Sequence, residues 1–158
     1  MSFGITDKAL PLVKVVFSLG TNEWHGFHTE SVWAEKIDNN RCRIRNTPFY
    51  AKGVSCEDVV FIKDVDGALF FDSTSMAAGH STYRILLNKS ILEGDFLRYW
   101  GPLEGLGCTY ESSDIGKMTL YAVNVPSNTN IHEAYSLLER AERDGVWEFE
   151  EGHCGHPI

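Results

Sequence analysis

The most enzyme-like residues of the chain stand close together in His80-Ser81-Thr82-Tyr83-Arg84. A serine becomes a nucleophile when a base lies within hydrogen-bond reach and a third group orients that base. Adjacent residues of an extended segment point to opposite faces, so His80 cannot serve Ser81. His80 and Arg84 share a face instead, where they form a polar anchor for an anion or a partner's carboxylate, with Glu30 a further candidate to line the same cleft. The plainer reading has His80 and Ser81 bonding backbone groups at a strand start and Arg84 paired to an acid.

Arg41-Cys42-Arg43-Ile44-Arg45 alternates strictly, which puts three guanidinium groups on one strand face and Cys42 and Ile44 on the other. Such a stripe can grip phosphates. RNA-binding sheets add aromatic residues that stack bases, however, and this strand has none, so a solvated, charge-protected strand face is the simpler expectation. Gly152-His153-Cys154-Gly155-His156 carries soft and borderline ligands, and His25 and His28 offer more, but neither set has the spacing of a zinc site. No metal and no cofactor is expected, and residues so near a terminus tend to fray. Cys42, Cys56 and Cys108 sit among apolar or strand residues, away from the electropositive surroundings that activate a thiol.

The acidic end of the chain is the strongest electrostatic feature. Glu133, Glu139, Glu142, Asp144, Glu148, Glu150 and Glu151 oppose only Arg140 and Arg143. Residues 81–158 hold 12 acids and 6 bases, residues 1–80 only 10 and 8, and the whole chain carries −8. That balance argues against nucleic acid and anionic membrane as the main partners and suits a basic protein, because complementary potentials speed encounter and reject wrong partners. Trp24 or Trp100, if exposed, would serve as an anchor. No apolar run reaches the roughly 20 residues of a bilayer span, and residues 1–12 lack the pattern of a signal peptide, so a cytoplasmic location is expected.

Two kinds of element must position these groups. The first half predicts strands over 12–19, 32–37, 41–46, 58–63 and 68–72, with Asp38-Asn39-Asn40 as a turn that tolerates positive φ and Asp66-Gly67 as the strongest hairpin signal. This implies a small antiparallel barrel or bent sheet over 1–79, with its seam near 76–79. The second half, 80–152, predicts a strand over 82–87, a helix over 92–106 that Gly101-Pro102 must break or kink, strands over 108–112 and 118–125, a helix over 131–143 and a strand over 146–150. Asn130 caps the second helix, with Glu133 three residues on and Gly145 as its stop. Ile131, Ala134, Tyr135, Leu138 and Ala141 form its apolar face, and Trp147 and Phe149 face the core from the last strand. The fold class is α+β, with a ferredoxin-like βαββαβ half and a tail over 153–158.

Several of these segments carry a resemblance. Glu30-x-x-Trp33, Asn46-x-Pro48-Phe49-Tyr50, Gly53-Val54-Ser55, Asp58-Val59-Val60, Gly79-His80-Ser81-Thr82-x-Arg84, Leu106-Gly107-Cys108 and Gly145-x-Trp147-x-Phe149-Glu150-Glu151-Gly152 together resemble a bacterial family of small cytoplasmic proteins described only as a domain of unknown function. The resemblance spans roughly residues 12–153. It implies bacterial origin, a complete single unit and a cytoplasmic location, and it brings no activity or catalytic residue with it.

Two functions from different classes follow as expectations. One is a non-enzymatic acidic binding protein that occludes a basic partner as an immunity protein does a toxin, through Glu139, Glu142, Asp144, Glu148, Glu150 and Glu151. The other is an enzyme or anion-binding protein that uses a cleft between the halves around His80, Ser81 and Arg84. A weaker third is RNA association through Arg41, Arg43 and Arg45.

Overall fold

Apolar and polar residues alternate with period two through the first half of the chain. In the computed structural model, which describes residues 10–158, five strands result: β1 (Leu12–Ser18), β2 (Thr29–Lys36), β3 (Arg41–Ile44), β4 (Val59–Val65) and β5 (Ala68–Met76). Successive strands pair antiparallel, and the ring closes where β1 meets β5 through Val15–Leu69 and Val16–Phe70. That closing pair is parallel, which corrects the wholly antiparallel expectation: an odd number of strands in a meander leaves first and last pointing the same way. Inward residues such as Val15, Val32, Ala34, Cys42 and Ile44 are fully buried, and Phe17 stacks on Phe71 with ring centroids 4.7 Å apart.

Asp66 and Gly67 turn between β4 and β5 with φ of 54° and 90°, the left-handed geometry of a two-residue hairpin. The 38–40 turn works otherwise: none of its residues has a positive φ, and the Asp38 carboxylate accepts from Asn40 N–H at 2.9 Å. β5 runs on past the expected residue 72 to Met76, and the link to the second half follows it, at the expected seam.

The second half contains β6 (Ser81–Asn88), α1 (Glu93–Gly105), β7 (Thr109–Ile115), β8 (Met118–Val125), α2 (Ile131–Arg143) and β9 (Glu148–His153). The strand order is β7-β8-β6-β9, antiparallel throughout, and both helices contribute to one core with the sheet face that bears Tyr83, Ile85 and Val123. Asn130 caps α2 by accepting from His132 N–H and Glu133 N–H. Tyr135 is 42% exposed, outside the buried set of Ile131, Ala134, Leu138 and Ala141, because it lies at the edge of the apolar arc.

Three expectations fail here. α1 runs unbroken through Pro102: the proline stands in the last turn, where it deletes one backbone bond near the helix end while buried Trp100 and Leu103 anchor the turn. Trp100 is thereby removed as an exposed anchor, whereas Trp24 is 54% exposed. β9 starts after Trp147 and continues to His153, and residues beyond it dock, with His156 only 7% exposed. The tail is therefore docked through His156, and its last residue, Ile158, is exposed.

The two faces of β6 explain how the halves meet. Tyr83, Ile85 and Leu87 face the helices, while Thr82 and Arg84 are buried on the other side. The segment joining β3 to β4 covers them: Ser55 Oγ lies 2.7 Å from Thr82 Oγ1, and Gly53 N–H donates to Gly152 O at 3.1 Å. The cover ends at half-buried Leu86 and exposed Asn88.

Candidate functional site: a sealed polar layer and an acidic pocket

Arg84 and Glu30 clamp one short loop between them. The Glu30 carboxylate accepts from the N–H groups of Phe49, Tyr50 and Ala51 at 2.6, 2.9 and 2.8 Å. Arg84 donates from Nε to Phe49 O and from Nη2 to Ala51 O. Arg84 is thus held by carbonyls, not paired to an acid as the plainer reading expected. Burial pulls its pKa down, opposed by the charges of Glu150 and Glu30, and a guanidinium stays ionised regardless. Gly152 is part of this fit, since a Cβ there would overlap the Arg84 guanidinium.

Ser81 does meet a histidine, though a distant one in sequence. Its Oγ lies 2.6 Å from His156 Nδ1, and His156 Nε2 lies 2.7 Å from Pro126 O. The carbonyl can only accept, so in the neutral ring Nε2 carries the proton and Nδ1 accepts from Ser81. Gly155 N–H completes the Ser81 shell at 3.0 Å. The pairing has the atoms of an activated serine, but Ser81 is fully buried and its bonds tie down the C-terminal segment. His153 repeats the device with Ser55 at 2.8 Å. His80 donates from Nδ1 to Asn124 Oδ1 at 3.1 Å, so His80 and Arg84 take separate partners and do not converge on one cleft.

The arginine stripe has the predicted alternation, with Cys42 and Ile44 buried beneath it. Two of its members are already engaged: Arg41 with Asp38 at 2.9 Å, and Arg45 with Glu57 at 2.8 Å and Glu35 at 3.5 Å. Burial pushes the Cys108 thiol up to about 11, and burial with the Glu57 charge does the same to Cys56. Neither is poised as a thiolate.

The acidic residues are divided rather than gathered on one face. Glu139 is exposed on α2, Asp144 accepts from Tyr99 Oη at 2.7 Å, Glu142 accepts from Phe149 N–H at 3.1 Å, and Glu151 takes the Tyr83 hydroxyl at 3.2 Å. Glu148 and Glu150 are different: they lie opposite Leu86 and Arg84 in the β6–β9 register, on the face the loop leaves uncovered. There they border a pocket of about 200 Å³ with Leu86 and Leu120 in its floor, Arg84 at its inner end and Trp24 from the β1–β2 loop beside it. A neighbouring hollow shares Leu86 and Glu148 and adds Glu142. Trp24 belongs to an aromatic cluster in which Tyr50 contacts Trp24, His25 and Phe27 at centroid separations of 6.2, 4.4 and 5.0 Å. Sequence reading named Trp24 and both glutamates but had no signal that joins them, because the loop folds over from the opposite half.

A solved structure described as a hypothetical protein from Neisseria gonorrhoeae shares the fold, with a TM-score of 0.71 at 21% identity over 90% of this chain and 96% of that one. No curated protein matches the chain. No helix among the described residues is long and apolar enough to cross a membrane. A family model described as a domain of unknown function, DUF4265, matches residues 30–149, from Glu30 of the clamp to Phe149 beside the pocket, and the chain belongs to that family.

Proposed function

We propose that this protein is a non-enzymatic binding protein that neutralises or regulates a basic protein partner, in the manner of an immunity protein acting on a toxin in the cytoplasm. It is read as a β-rich unit over 1–79, of which 1–9 lie outside the described residues, joined to a ferredoxin-like unit over 80–152, the latter on the β7-β8-β6-β9 order. The observation that carries the reading is the contrast in use of polar groups. Ser81, His80 and His156 have their hydrogen bonds inside the protein, and Arg84 gives Nε and Nη2 to loop carbonyls while its buried Nη1 has no partner, whereas Glu148 and Glu150 stand exposed beside an apolar pocket and an exposed tryptophan. Exposed carboxylates next to an aromatic anchor suit a cationic protein surface.

The test is retention of proteins from the native host on the full chain and on Glu148→Lys/Glu150→Lys. A basic protein retained stoichiometrically by the first and lost by the second, with its own activity suppressed while bound, supports the reading. Equal retention by both, or turnover of a small molecule abolished by His80→Ala, overturns it.

A further inference from the structure

We infer that the pocket beside Trp24 receives a single arginine side chain of the basic partner, an assignment that rests on the reading above and specifies its anchor. The pocket measures about 200 Å³. The adjoining hollow, which shares Leu86, Glu148 and Phe149, measures about 740 Å³, so the lining and not the size selects the occupant.

The lining matches the parts of that side chain. Leu86 and Leu120 present an apolar floor to its methylene stem. Glu148 and Glu150 offer carboxylates to its head, and Trp24, 54% exposed, offers an indole for stacking. A guanidinium is planar, weakly hydrated and forked, which fits two carboxylates and a ring better than the compact, strongly hydrated ammonium of lysine.

Charge decides between a cation and an anion. Arg84 puts one positive charge at the pocket, and Glu148 and Glu150 put two negative ones. One added cation brings the lining to neutrality, whereas an anion would double its deficit. Arg84 gives Nε and Nη2 to the carbonyls of Phe49 and Ala51, its unpartnered Nη1 is buried against Gly152, and Glu150 faces it across the strand pair.

The experiment follows the Trp24 indole N–H and the Leu86 and Leu120 methyl resonances of the full chain during titration with acetyl-Gly-Arg-Gly-amide. Matched peptides carry citrulline or glutamate in place of arginine. The arginine peptide is expected to shift all three sets of signals to saturation. The citrulline and glutamate peptides, and the arginine peptide on Glu148→Gln/Glu150→Gln, are expected to bind at least about tenfold more weakly. Equal binding of citrulline, preference for glutamate, or no shift at these three residues overturns the assignment.

Trp24→Ala, a change on an exposed loop residue, separates the two levels of the argument. If a captured basic protein depends on Glu148 and Glu150 but is retained equally without the Trp24 indole, the pocket assignment falls and the partner reading stands. If the arginine peptide binds as expected and no basic protein is captured, the partner reading falls and the arginine site stands.

Discussion

The two ends of β6 treat polar residues in opposite ways. From Ser81 to Arg84 the strand is sealed: Ser81 is held by the docked C-terminal segment, Thr82 by Ser55, and Arg84 by the loop that Glu30 grips from its other side. From Leu86 onward the cover is gone, and the neighbouring glutamates of β9 face solvent with an apolar floor between them and β8. Residue types associated with catalysis thus gather where the halves must adhere, and the surface available to another molecule is built from ordinary glutamates and leucines. Hydrogen bonds inside the fold give most of the first group a structural role, which the exposed carboxylates of the second do not have.

Substitutions at each end sharpen that contrast. The largest effect is expected from Arg84→Met, which strips donors from the half-buried Phe49 and the buried Ala51 carbonyls and should lower unfolding stability by about 3 kcal/mol, read as a fall in urea midpoint. Gly155→Ala comes next: its Cβ would overlap the His80 carbonyl, and backbone yields less readily than a side chain, so a loss of about 2 kcal/mol is expected in the same assay. Ser81→Ala leaves His156 Nδ1 and Gly155 N–H without their partner and should cost about 1–2 kcal/mol, with faster amide exchange in residues 154–156. At the open end, Glu148→Gln with Glu150→Gln should cost about 1 kcal/mol or less, through the lost Glu150 charge beside buried Arg84, while abolishing partner retention. A loss of stability there as large as at Arg84 would erase the distinction between the two ends.

What was legible in the sequence was local. Asn130 sits next to the N–H groups it caps, Asp66-Gly67 needs no distant partner to turn, and the alternation in Arg41 to Arg45 sorts its own faces. The layer between the halves was not legible, because its partners are far apart along the chain: Ser81 with His156, Ser55 with His153, Arg84 with Phe49. A histidine near a terminus reads as loose until the serine that captures it is known. Pro102 misled for the converse reason, since a local rule against proline in a helix was outweighed by packing of its neighbours. For the pocket, both glutamates were visible as charge, but the register that sets Glu150 across from Arg84, and the loop that brings Trp24 alongside, belong to the fold.

The position of β9 also constrains how the molecule is made. β6 is flanked by β8 on one side and β9 on the other, and β9 follows the other strands and helices of the described residues in the chain. Until it is made, the central strand keeps one edge of backbone groups unpaired, and Arg84 lacks Gly152 against its guanidinium. The five-stranded ring can close before β9 is made, whereas the sheet that carries Glu148 and Glu150 is complete only after it.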